Sequence, residues 1–250
     1  MCVITDPYFW MAAFIAVMIT GISKGGFGGV ALLAVPLMAL TISPTKAAAI
    51  MLPILLVMDA ISVWAWRKTW DKAALLILIP PAIIGIAIGG LFAGEVSDDF
   101  VRIMVGLVAV VFALYAMVAA RGQRSLRKPG RMFGYIAGMG AGFTSFIAHA
   151  GGPLFQAYAI PQDLDKKVFT GTSVIFFTVV NIIKVIPYAM LGQFSADNIT
   201  VSLMLIPLAP LGVWLGIWLN QRVPQAVFYK ILYVLILLVG IKLLWDGLGV

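Results

Sequence analysis

The sequence predicts an all-α polytopic membrane protein of eight to ten helical segments, arranged as two inverted repeats that each hold a broken, re-entrant-like helical hairpin and three transmembrane helices. Three observations predict it. Of the 250 residues 62% are apolar and 11% charged, the apolar residues fall in runs of bilayer length, and two of those runs are interrupted by glycine clusters. So apolar a composition leaves too little polar surface to face water.

About 20 helical residues, rising 1.5 Å each, cross a hydrocarbon core of about 30 Å. Six runs have that length: 47–66, 73–93, 100–120, 168–190, 198–220 and 226–248. Two further stretches, 8–41 and 132–160, are broken near the middle by glycine and are where function is expected. The N-terminal residues carry no basic region and no small-residue cleavage site, so the first helix is expected to serve as its own insertion signal. Cys2 is the single cysteine, which excludes an intramolecular disulfide and a cysteine metal cluster.

The net charge is +7, and its basic residues sit mainly in loops, where they report orientation and not a nucleic-acid partner. The cluster Arg121, Arg124, Arg127, Lys128 and Arg131 marks the cytoplasmic face. Counting back, the acidic loop Glu95, Asp98 and Asp99 falls outside, and Arg67, Lys68 and Lys72 return inside. Counting forward, Lys166, Lys167 and Arg222 lie inside, and the loop 191–197, with no Lys or Arg, lies outside. The 29 residues of 132–160 must then enter and leave at one face, which two half-helices can do. Both termini are placed on the periplasmic side of a bacterial inner membrane.

The two halves resemble each other. Pro80, Gly85, Gly89 and Val96 recur as Pro207, Gly212, Gly216 and Val223 at a constant offset of 127. Upstream, glycines 25–29 correspond to Gly151 and Gly152, and Asp59 to Asn181. The organisation read from this is a first membrane repeat (1–120), a basic linker (121–131) and a second repeat (132–250), together forming one transport domain. Opposite orientation of the halves is a hallmark of secondary transporters.

The first break reads Gly21-Ile22-Ser23-Lys24-Gly25-Gly26-Phe27-Gly28-Gly29. Each glycine costs a helix roughly 1 kcal/mol relative to alanine, so the helix should unwind there. Freed backbone at membrane depth is tolerated where it packs in protein or lines a polar cavity. A second half-helix beginning near Gly28 would turn its N–H groups and positive dipole end to that cavity, and Lys24 adds a full charge. Lys24 has a competing reading as a snorkelling residue or as the partner of Asp59.

The second break runs from Gly138 to Pro153, with Pro153 suited to the first turn of a new half-helix. His149, the single histidine, either donates to an anion near this break or is a packing residue. Asp59, Asn181 and Lys184 lie inside apolar spans, the last two on one helix face by their spacing. Thr170, Gly171 and Thr172 open that span, and Thr172 reads as helix–helix packing. Trp64, Trp66, Trp70, Tyr188 and Trp245 sit near span ends and read as interfacial anchors.

At these residues the chain resembles the sulfite exporter TauE/SafE family. The resemblance runs through Gly21-x-Ser23-Lys24-Gly25-Gly26-Phe27-Gly28-Gly29, Pro36, and Pro44 through Pro53 to Asp59. It continues in His149-Ala150-Gly151-Gly152-Pro153, Tyr158, Pro161-Gln162, Lys166, Phe169-x-Gly171-Thr172, Asn181, Lys184 and Pro187-Tyr188. Where many relatives carry a second proline after Gly-Gly-Pro, this chain has Leu154. The resemblance implies an inner-membrane permease, most often an exporter, for sulfur-containing anions such as sulfite or organosulfonates.

The expected mechanism is alternating access around a site built from Ser23, Lys24, Gly25, Gly26, Gly28, Gly29, His149, Gly151, Gly152, Asn181 and Lys184, with Asp59 and Thr172 as coupling or structural polar groups. The partners are a small anion and the lipid bilayer, with protons or the anion's own gradient as the driving force. Alternatives are a passive anion channel and a permease for another small organic anion. One His, one Cys and few intramembrane carboxylates supply neither a nucleophile with its base nor a metal-ligand set. No enzyme activity, catalytic residue, metal or cofactor is therefore expected, and oligomeric state leaves no mark on the sequence.

Overall fold

The computed structural model describes residues 6–26, 30–93, 97–119, 128–222 and 225–249, and all regular structure among them is helical. α1 (Pro7–Lys24) starts on Asp6, whose carboxylate accepts the Tyr8 N–H at 2.9 Å, with Pro7 in the first turn, where its missing N–H costs nothing. The helix stops at Lys24. Gly25 donates its N–H to the Gly21 carbonyl, and Gly26 then takes φ +137°, a region closed to side chains. A 3-10 turn (Val30–Leu33) and α2 (Ala34–Ala39) pack back along α1. Phe27, Gly28 and Gly29 lie outside the described residues, as do Arg121 to Arg127 of the linker, Glu95 and Val223.

α3 (Pro44–Trp66), capped by Ser43, and α4 (Lys72–Phe92), capped by Asp71, follow, and then α5 (Asp98–Ala119). The second hairpin is α6 (Arg131–Ala148), α7 (Gly152–Ala159) and a 3-10 turn (Ile160–Gln162). Gly134 lies against Tyr158, and the Gln162 amide nitrogen is 3.5 Å from the Pro129 carbonyl oxygen. The hairpin therefore begins and ends side by side, as its length requires. α8 (Lys166–Met190), α9 (Ala196–Leu205), α10 (Leu208–Arg222) and α11 (Gln225–Leu248) complete the chain.

α1, α3, α4 and α8 are each long and apolar enough to cross a membrane. The run 198–220, read from sequence as one clear span, is instead the bent pair α9 and α10, inclined at 44°. Pro207 sits at the bend; it has no N–H to continue the ladder and its ring crowds the carbonyl one turn earlier. α1 and α10 run in the same direction, with Gly21 against Gly212 and Gly25 against Gly216. A Cβ on either Gly21 or Gly25 would stand 2.6 Å from the facing glycine Cα, so the two backbones touch.

α3 forms the centre, burying Ala48, Ile50, Met51, Ile54, Met58 and Asp59. The outer surface exposes Leu91, Ile84, Met190, Trp214 and other large apolar side chains, the distribution of a protein whose solvent is lipid. Together these helices make a polytopic membrane protein. Trp64, with the Arg67 guanidinium 3.9 Å over its ring, Trp70 and Trp245 stand exposed near helix ends, as interfacial aromatics do. Tyr188 departs from that reading: it is buried, and its hydroxyl donates to the Phe146 carbonyl at 2.6 Å.

Candidate functional site

The break after α1 leaves Lys24 on the last turn, turned inward toward α3. Its ammonium forms an ion pair with Oδ1 of Asp59, while Asn181 on α8 donates through Nδ2 to Oδ2 at 2.6 Å. Each carboxylate oxygen thus has its own donor. Lys24 is 8% exposed, Asp59 1% and Asn181 3%. Removing an ion from water costs several kcal/mol even after relaxation, and charge-assisted hydrogen bonds offset that cost only when geometry is good. Residues of α1, α3 and α8 meet here.

A second lysine lies one helical turn along α8. Lys184 is fully buried and donates to the Ser145 carbonyl at 3.0 Å, to the Ser145 hydroxyl at 3.1 Å and to Nδ1 of His149 at 2.6 Å. All three are neutral acceptors. The Ser145 carbonyl belongs to the last turn of α6, where intrahelical donors run out and the dipole end is negative. His149 closes that helix at φ +53° with its N–H on the same carbonyl, an αL cap.

The two imidazole nitrogens have opposite partners. Nε2 faces the Ala48 carbonyl at 2.9 Å, which can only accept, and Nδ1 faces Lys184 Nζ at 2.6 Å, which donates to it. The ring is therefore assigned as neutral with its proton on Nε2. Through it Lys184 is tied to α3.

Lys24, Ser145, His149 and Asn181 border a cavity of about 60 Å³. One water needs roughly 10–15 Å³, so several waters or one small tetrahedral oxyanion fit. Of the residues expected at the site, Ser23, Lys24, His149, Gly152 and Asn181 line the cavity. Asp59 and Lys184 stand behind its wall, bonded to lining residues. Gly25 packs against α10, Gly26 makes the turn, and Gly151 fits between Ala141 and Ser145. Gly28 and Gly29 lie outside the described residues.

Thr172 is away from the cavity and does more than pack. Its hydroxyl donates to the Val168 carbonyl at 2.7 Å and accepts the Asp71 N–H at 2.8 Å, tying the α3–α4 loop to α8. Sequence reasoning passed over several lining residues, among them Ser145, Gln156, Ser173 and Phe177. Spacing carried a signal for three of them: Ser145 is four residues before His149, and Ser173, Phe177 and Asn181 follow at four-residue steps on one helix face. Phe177 also presents its ring 5.6 Å from the Lys24 ammonium.

A partly enclosed cavity with an ammonium in its wall, a second lysine behind and hydroxyl and amide donors around it suits a small anion. Among the described residues no three His, Cys, Asp or Glu side chains group as metal ligands would. A family model described as Sulfite exporter TauE/SafE matches residues 13–243. The chain belongs to that family. The match takes in both glycine breaks and every lining residue of the cavity. The TauE/SafE family is a transporter family, which makes this chain a multi-pass membrane transport protein. No curated protein and no solved structure matches the chain.

Proposed function

We propose that the cavity between α1, α7 and α8 binds a small sulfur-containing anion, sulfite or an organosulfonate, and that the protein exports it across a bacterial inner membrane by alternating access. The observation that carries this reading is the position of Lys24: in the cavity wall, buried, and sharing its ammonium with a single carboxylate oxygen. Among the described residues no other group accepts from that ammonium, which leaves it protons to offer an incoming oxyanion. Ser23 and Ser173 border the same space, and Lys184 stands behind His149 and Ser145.

An entering anion competes with Asp59 for Lys24. Displacing Asp59 in this way would couple anion movement to the driving force, whether protons or the anion's own gradient. The two hairpins, α1–α2 and α6–α7, are read as the tips of two inverted repeats, 1–120 and 132–250, entering from opposite faces with the linker 121–131 cytoplasmic. Rocking of one repeat against the other about the Lys24–Asp59–Asn181 contact would expose the site to each side in turn.

The test is the melting midpoint of the purified protein in detergent against sulfite, sulfate, thiosulfate, sulfoacetate, taurine and carboxylate analogues. A ligand at 100 times its Kd stabilises the folded state by about 2.7 kcal/mol. The expected outcome is stabilisation by one sulfur oxyanion that Lys24→Ala abolishes. No shift with any sulfur anion would end this reading, and flux in vesicles that neither saturates nor shows counter-transport would replace the carrier by a channel.

A further inference from the structure

A second cavity of similar size lies elsewhere along α8, bordered by Thr45, Phe92, Phe100, Phe146, Tyr188 and Gln193 among others. On α8 the first cavity extends from Phe169 to Asn181, and the second takes up at Tyr188 and continues past the helix end at Met190 to Leu191 and Gln193. From Thr170 to Tyr188 is about 27 Å at 1.5 Å per residue, close to the thickness of a hydrocarbon core. α3 repeats the pattern in reverse: Thr45 at its start borders the second cavity, while Met51 and Leu55 border the first. The cavities are therefore directed toward opposite ends of the bundle.

The wall between them is thin. His149 borders the first cavity, Tyr188 borders the second, and their rings stack at 6.3 Å between centroids. Phe146 meets Tyr188 edge to face at 5.1 Å, and the Tyr188 hydroxyl bonds the Phe146 carbonyl. Lys184 and Tyr188, one turn apart on α8, thus hold two consecutive carbonyls, Ser145 and Phe146, in the last turn of α6. The Phe146 ring has its place because α4 carries Gly89: a Cβ there would be 2.8 Å from Phe146 Cδ1. Pro187, inside α8 just before Tyr188, removes one N–H from the helix ladder and leaves a point at which α8 can bend.

Resting on the transporter reading above, we propose that the second cavity is the far-side vestibule of the same translocation path and that Phe146 and Tyr188 form the gate between the two. The gate is closed in this structure by the hydroxyl–carbonyl bond and the edge-to-face ring contact. It opens when the tip of the α6–α7 hairpin moves away from α8, which breaks the Lys184 and Tyr188 bonds together and withdraws both rings from the space between His149 and the vestibule.

The experiment uses the full chain with Cys2→Ser, so that an introduced cysteine is the only thiol. Ser173→Cys reports the first cavity and Gln193→Cys the second, each exposed in sealed vesicles to a membrane-impermeant thiol reagent from either face. The two are expected to react from opposite faces. Adding Tyr188→Phe, which removes only the hydroxyl, should speed reaction of the Ser173→Cys thiol from the Gln193 face by about fivefold, the effect of losing one ordinary hydrogen bond. Phe146→Leu serves as a second variant should Tyr188→Phe fold poorly. Labelling of both cysteines from one face, or no acceleration by either gate variant, overturns the proposal. Labelling needs no substrate, so its failure beside a retained sulfite-induced melting shift removes the gate alone.

Discussion

Lys24 and Asp59, 35 residues apart in the chain, form a buried ion pair whose ammonium also borders the cavity. The pair joins the end of a broken helix to the most buried helix of the bundle. One contact thereby stabilises the fold and sets the charge of the site.

Replacing Lys24 alone strands a buried carboxylate. Lys24→Met is expected to cost roughly 3–5 kcal/mol, the usual consequence of removing one member of a buried pair, whereas Lys24→Met combined with Asp59→Asn should recover most of it. Melting midpoints at one fixed scan rate compare the three proteins. A single variant as stable as the parent would contradict the burial of this pair. Both variants should lose stabilisation by sulfite.

Asn181 supplies the second donor to Asp59. Asn181→Leu should cost about 1.5–3 kcal/mol, the range for hydrogen bonds to charged groups. Asn181→Asp should be worse, since it sets two carboxylates 2.6 Å apart where an amide now donates. Equal melting of the Leu and Asp variants would show that the amide does not face the carboxylate.

Lys184 reaches the cavity through His149 and Ser145, both of which line it. Lys184→Met keeps the length of the side chain and is expected to fold with a loss of about 1–3 kcal/mol, because the Ser145 carbonyl retains the His149 N–H. Isothermal titration with sulfite should show at least a tenfold rise in Kd. Lowered stability with unchanged Kd would reduce Lys184 to a brace for the hairpin.

Thr172 gives the opposite pattern. Thr172→Val keeps the shape and leaves the Asp71 N–H without its acceptor, which should cost about 1–3 kcal/mol. Sulfite affinity should stay unchanged, since Thr172 does not border the cavity. A changed Kd in this variant would mean that the α3–α4 loop contributes to the site.

The helix ends were readable in part from local signals: the run of glycines after Lys24 and the proline after Gly152 mark chain that cannot continue a helix, whereas Gly138, Gly140 and Gly142, read as part of the second break, lie inside the unbroken α6, where Gly138 and Gly142 let it pack closely on α4. Pro207 was equally visible, yet one long apolar run masked the bend it imposes. Ser145 and Ser173 were missed because serine is common in apolar helices, and only its spacing from His149 or Asn181 marks it. Tyr188 was misread because an aromatic near a helix end fits an interfacial belt until its hydroxyl is seen bonded to Phe146.

By itself the sequence determined the membrane as solvent, the two glycine-interrupted stretches and the standing of Lys24, Asp59, Asn181 and Lys184 as polar groups inside apolar helices, since each depends on composition or on neighbours within a few positions. Only the tertiary structure decided that Asp59 is shared between Lys24 and Asn181, that Lys184 stands behind His149, and that Tyr188 borders a second cavity with its ring against His149. The physical reason is distance along the chain: these bonds join residues separated by 35 to 122 positions, and helix packing, which no local pattern encodes, selects which polar groups meet.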